Sequence, residues 1–144
     1  MAVSECRLVT YFEPSAWSRR YGDECFTATV TGHLVMEDLS CCCMPRRWAV
    51  YEVECKAGTK TWTVRRRVRE WLALWEHVRG SIDFGYVGAS APEPPSKTLL
   101  PWLSTHFLDR RASDLAKFLN ALLVQFNLGQ PAVQEPLRTF LLDD

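Results

Sequence analysis

With 144 residues, 47% of them hydrophobic and 24% charged, the chain can enclose one core, which argues against two full domains. Seventeen basic and seventeen acidic residues cancel, so no global field of the kind that draws nucleic acids is present and any basic site must be local. The longest apolar runs, such as Trp71 to Trp75, fall far short of the roughly 18 residues of a membrane span.

Residues 1–24 read as an N-terminal extension able to pack on a domain occupying 25–144, with Leu8 to Phe12 as a possible short strand. From Cys25 to Met36 the sequence alternates, Phe26, Ala28 and Val30 on one side and Thr27, Thr29 and Thr31 on the other, which predicts a half-buried strand. Glu37 to Arg47, with Asp38, Ser40, three cysteines and Pro45, reads as a loop. Trp48 to Cys55 is rich in β-formers, Ala57-Gly58-Thr59 reads as a tight turn, and Thr61 to Arg65 continues as a third strand. At Val68 the period changes: Val68, Trp71, Leu72, Trp75 and Val78 recur at helical spacing up to Gly80. A Gly/Pro/Ala-rich connection containing APEPPSK covers Ser81 to Lys97. A second helix is expected from about Asp109 to Phe126, striped by Leu115, Phe118, Leu119, Leu122, Leu123 and Phe126. Gln130 to Pro136 separates it from a short last helix carrying Leu137, Phe140 and Leu141. The expected class is α+β, a three-stranded antiparallel meander followed by three to four helices with a Pro-rich loop.

The six cysteines, Cys6, Cys25, Cys41, Cys42, Cys43 and Cys55, show no CxxC or Cys/His spacing, and three in a row cannot readily pair with one another. Neither a disulfide framework nor a zinc site is expected. The first residues mix Glu5 and Arg7 without an apolar segment, so no secretory leader is expected and the thiols should be reduced, as in the cytosol.

The charge that does not cancel lies in RRRVREWLALW. Between Lys60 and Arg79 six basic residues face two acids. Extending the first helix's apolar face back one turn reaches Arg67, four before Trp71. In the second helix Arg111 stands four before Leu115, so each helix is expected to open its buried face with an arginine near its N-terminus. Arg110 instead points to Asp114 at i+4, a surface pair. A guanidinium entering a core needs a carboxylate or an anionic ligand, because an unpaired buried charge costs several kcal/mol. Free amides at a helix N-terminus favour the anion.

These residues resemble the phox homology (PX) domain, a phosphoinositide-binding module. Its pattern is a strand, then Arg-Arg-Tyr/Phe-x-x-Phe opening a helix, a Pro-rich loop ending in lysine, and a helix with arginine four before leucine. WTVRRRVREWLALW, PEPPSK and FLDRRASDLAKFL occupy these slots in order, over roughly residues 25–142. The resemblance implies that Arg67 holds a 3-phosphate, Lys97 the phosphate linking inositol to glycerol, and Arg111 the inositol hydroxyls. Val68 stands where the family has an aromatic ring against the inositol, which bears on the lipid preferred. Leu99, Leu100 and Trp102 follow the lysine and read either as packing against the second helix or as a segment entering the lipid interface. The implied role is non-enzymatic and without a cofactor: peripheral targeting of a larger protein from the cytoplasm to endosomal phosphatidylinositol 3-phosphate, for trafficking or signalling.

Other readings stay open beside it. PEPPSK fits PxxPxK, a polyproline ligand for an SH3 domain. Cys41, Cys42 and Cys43, beside Pro45, Arg46 and Arg47, could accept acyl chains, against the plainer reading of an incidental cluster. A nucleic-acid role for RRRVR is disfavoured by the zero net charge. His33, His77 and His106 have no acidic or nucleophilic partner at a recognisable spacing, so catalysis and metal binding are not expected.

Overall fold

The alternation that begins at Cys25 becomes a long strand. In the computed structural model, which describes residues 6–39, 46–85, 92–95 and 104–143, four strands lie side by side in chain order. They are β1 (Thr10–Tyr11), β2 (Cys25–Asp38), β3 (Arg46–Ala57) and β4 (Lys60–Arg66). β2, β3 and β4 form the antiparallel meander. β1 joins β2 in parallel, with Thr10 opposite Cys25 and Tyr11 opposite Phe26. Three helices follow: α1 (Val68–Val78), α2 (Thr105–Phe126) and α3 (Pro131–Leu142), so the α+β order holds.

The β2–β3 ladder runs further than the alternation suggested. Glu37 pairs with Arg47 and Asp38 with Arg46, where a loop was expected, because opposite charges across a ladder favour pairing. A register shift lies between Val30 and Gly32. β4 ends earlier than β3: Arg66 is paired with Tyr51, which leaves residues 46–50 extending past it. Gly58 closes the β3–β4 turn with φ of 60°, and a Cβ there would collide with the Asp23 carboxylate.

Phe26, Ala28, Tyr51, Val53, Cys55 and Ala57 face the helices, which contribute Trp71, Phe118, Leu122, Phe126, Leu137 and Leu141 to the same core. Thr27, placed on the polar side by alternation, is buried as well, and its hydroxyl has no hydrogen-bond partner among the described residues. Residues 6–24 are tied into this core. Leu8 and Tyr11 are buried, and the Asn127 amide completes Tyr11's backbone, accepting from its N–H and donating to its carbonyl, both at 2.8 Å. Arg138 Nε donates to the Leu8 carbonyl at 3.1 Å.

Two helix starts differ from expectation. α2 begins at Thr105, a full turn before Asp109, since Ser104 caps it, its hydroxyl accepting from Phe107 N at 3.4 Å. α3 begins at Pro131, not after Pro136. Proline's fixed φ suits the first helical position, and Pro136 is accommodated inside the helix.

Candidate functional site

Three consecutive arginines at the β4–α1 junction have three different fates. Arg65 is exposed and pairs with Glu52 at 3.3 Å. Arg66 is only 7% exposed. Its Nε and Nη2 donate to the Phe140 carbonyl at 3.0 and 2.8 Å, and the guanidinium stacks over the Phe140 ring. It braces the end of the sheet against α3. Arg67 has left the strand and is the N-cap of α1.

The Arg67 backbone N–H donates to Glu70 Oε1 at 3.0 Å, while the side chain turns away. Its guanidinium carbon lies 5.1 Å from the centroid of Trp48, a residue on the part of β3 that extends beyond β4. The arrangement is a cation–π contact on a half-buried ring. Partial burial, followed by the charges of Arg69 and Arg46, lowers the Arg67 pKa, and Glu70 offsets this only in part. A cation held where its neighbours repel it is a site that an anion relieves.

Arg111 lies well inside α2, not at its entrance as the sequence implied, because the helix starts at Thr105. The dipole and free amides of the N-terminus therefore do not act on it. Its guanidinium sits over the Phe107 ring at 5.0 Å and beside the Tyr51 phenol. Burial pushes that phenol's pKa up, and the Arg111 charge and polar contact pull it partly back. The hydroxyl nonetheless makes no well-formed hydrogen bond among the described residues.

Val68 and Arg111 share a groove of about 970 Å³ with Pro94, Pro95 and Phe107. The structure thus brings together Val68, Arg111 and the Pro-rich segment. Arg67 is not among the residues lining this groove; it faces Trp48 at the preceding position of the chain. The groove's described charges are balanced, with Glu13, Glu93 and Asp114 against Arg110, Arg111 and Lys117. The expected Arg110–Asp114 ion pair does not form among the described residues, although both line the groove. Lys97, Leu99, Leu100 and Trp102 lie outside the described residues, as do Cys41, Cys42 and Cys43.

Sequence reasoning missed Arg46, Trp48 and Tyr51 as neighbours of the two arginines. Nothing in sequence spacing joins Trp48 to Arg67; only the β3–β4 register does. It also missed the partner of His33, whose Nε2 lies 2.8 Å from Asp109 Oδ1 and ties β2 to the first turns of α2. No cluster of residues able to hold a metal occurs among the described residues, and none of their helices is long and apolar enough to cross a membrane.

No protein-family model matches the sequence, and comparison with curated proteins finds no match. Solved structures do match. A designed CISK-PX domain is 19% identical, covering 79% of this chain and 96% of that one with a TM-score of 0.55. The mouse SNX19 PX domain with bound sulphate ion is 20% identical, covering 81% and 95% with a TM-score of 0.50. The fold is that of PX domains.

Proposed function

We propose that this chain is a phosphoinositide-binding, membrane-targeting domain. Arg67 takes a 3-phosphate, Arg111 the inositol hydroxyls and Lys97 the phosphate leading to glycerol, with Val68 as apolar contact. Phosphatidylinositol 3-phosphate on endosomal membranes is the lipid in view, and recruitment of a larger protein from the cytoplasm is the consequence. Leu99, Leu100 and Trp102 then enter the lipid interface beside the headgroup. No catalytic step is assigned to the domain.

The observation that carries this reading is the state of Arg67. Its guanidinium is half-buried on Trp48 beside two like charges, whereas Arg66 next to it is spent on the Phe140 carbonyl. A planar fork fixed in this way can grip a phosphate through two parallel hydrogen bonds. The fold likeness adds that a PX domain, that of mouse SNX19, has been seen with a bound sulphate, a tetrahedral anion like phosphate.

The SH3-ligand reading of PEPPSK is weaker. Its first proline, Pro92, is buried, and Pro95 is partly covered, whereas a polyproline ligand presents both prolines to its partner.

Sedimentation with vesicles containing each phosphoinositide in turn tests the proposal. Recruitment by a 3-phosphorylated lipid above vesicles of equal charge made with phosphatidylserine is the expected result. Equal recruitment by all anionic vesicles would contradict it.

A further inference from the structure

Among the described residues, the unmatched positive charge does not lie in the groove. Among its described lining residues the groove beside Arg111 holds as many acids as cations. Around Trp48 the balance differs. Arg46 stands two residues before Trp48 on β3, so the pleat puts both on one side of the strand. Arg67 lies over the ring from the N-cap of α1, and Arg69 follows in the first turn. Arg46 and Arg69 are exposed. The acids nearby are largely committed: Glu70 receives the Arg67 backbone and lies 3.7 Å from Arg66, and Glu52 pairs with Arg65. Asp38 stands across the ladder from Arg46. No ion pair joins the side chain of Arg46, Arg67 or Arg69 to a carboxylate among the described residues.

We propose that Arg67, held over Trp48, and its neighbours Arg46 and Arg69 hold an inositol headgroup carrying a second phosphate monoester besides the one at Arg67. This rests on the phosphoinositide reading above and deepens it. A single monoester, with about two negative charges near neutral pH, answers one guanidinium fork and leaves the two flanking cations without a bidentate partner. A second monoester gives them a partner and removes the repulsion that they exert on Arg67. Val68 fits the same picture. Without a ring at position 68 to hold the inositol by its face, discrimination shifts from ring contact to phosphate count. The phosphate chemistry is shared by a bis-phosphorylated lipid and by a soluble inositol polyphosphate.

The test compares vesicles carrying mono-phosphorylated and bis-phosphorylated phosphatidylinositols, matched in total surface charge with phosphatidylserine. It uses the unaltered chain, an Arg46→Gln/Arg69→Gln variant and an Arg67→Gln variant, each checked by thermal melt. The bis-phosphorylated lipid containing a 3-phosphate should bind about tenfold or more tightly than the 3-monophosphate, as one further charge-assisted contact implies. In the double variant that ratio should fall to about one, and the soluble bis-phosphorylated headgroup should displace the unaltered chain from vesicles. If the chain binds the 3-monophosphate but shows no such preference, or the double variant keeps it, the inference fails and the phosphoinositide reading stands. A soluble headgroup that does not displace the chain means that the arginines sense surface charge, which also overturns the inference. Binding of the soluble headgroup without vesicle recruitment supports the arginine cluster as an inositol phosphate site and removes the membrane role. With neither vesicle nor headgroup binding, both fail together.

Discussion

Arg66 and Arg67 are adjacent in the chain and opposite in environment. The Arg66 guanidinium donates twice to the Phe140 carbonyl, at 3.0 and 2.8 Å, inside the α1–α3 contact. That of Arg67 lies 5.1 Å above Trp48, among cations. The strand ends between them, so one side chain belongs to the core and the next to the surface.

Substituting each in turn should therefore separate folding from binding. Arg66→Gln leaves a buried carbonyl without its donors, which costs about 1–3 kcal/mol, or roughly 2–9 °C in melting temperature for a domain of this size. Arg67→Gln removes a cation that its neighbours repel, so the melting temperature should hold or rise slightly while lipid binding is lost. Thermal melts of the two variants check this; equal losses of stability would contradict it.

Trp48→Ala should weaken vesicle binding without unfolding the domain. The ring holds the Arg67 guanidinium in one orientation, and cation–π contacts at such sites contribute about 0.5–1 kcal/mol. A two- to fivefold loss of affinity is expected in titrations with 3-phosphate vesicles. No change would show that Arg67 needs no support from the ring.

The N-terminal segment should come loose when Asn127 is changed. Its amide completes Tyr11's backbone from both sides, so Asn127→Ala orphans an N–H and a carbonyl at a cost of about 2 kcal/mol or more. Hydrogen exchange at Tyr11 should accelerate well before exchange in β3. Unchanged protection at Tyr11 would assign its anchoring to side-chain packing alone.

Burial, with a smaller contribution from Glu54, pushes the Cys55 thiol up to about 12, and Arg66 offsets only part of this. The folded state therefore keeps a proton that the unfolded chain releases near pH 9. The stability this represents is fully present below pH 9 and is lost as pH rises toward 12. At pH 8 a thiol reagent followed by mass spectrometry should label Cys55 only after urea is added. Fast labelling of the native domain would contradict this burial.

The strands and helices were legible in the sequence because burial on one face imposes a period, two for Phe26 to Val30 and close to 3.6 for Val68 to Val78. Boundaries were less so. Ser104 starts α2 earlier than its apolar stripe does, which is why Arg111 was placed at a helix entrance that it does not occupy. RRRVR announced a basic site and helical spacing singled out Arg67, but the burial of Arg66 was not legible, since it depends on where β4 ends against Tyr51 and on α3 arriving from the far end of the chain. Trp48 and Arg46 carry no local signal; they meet Arg67 only because β3 extends past β4. The short strand at Leu8 to Phe12 was legible as a possibility, but its anchor was not, as Asn127 binds Tyr11 from 116 positions away.

The most direct test of the central claim, that Arg67 captures a phosphate, is sedimentation of the unaltered domain and folded Arg67→Gln with vesicles containing phosphatidylinositol 3-phosphate. The account predicts that the unaltered domain pellets with these vesicles, and that the variant pellets no more than it does with phosphatidylserine vesicles of equal charge. If Arg67→Gln binds the 3-phosphate vesicles as well as the unaltered domain does, the account is wrong.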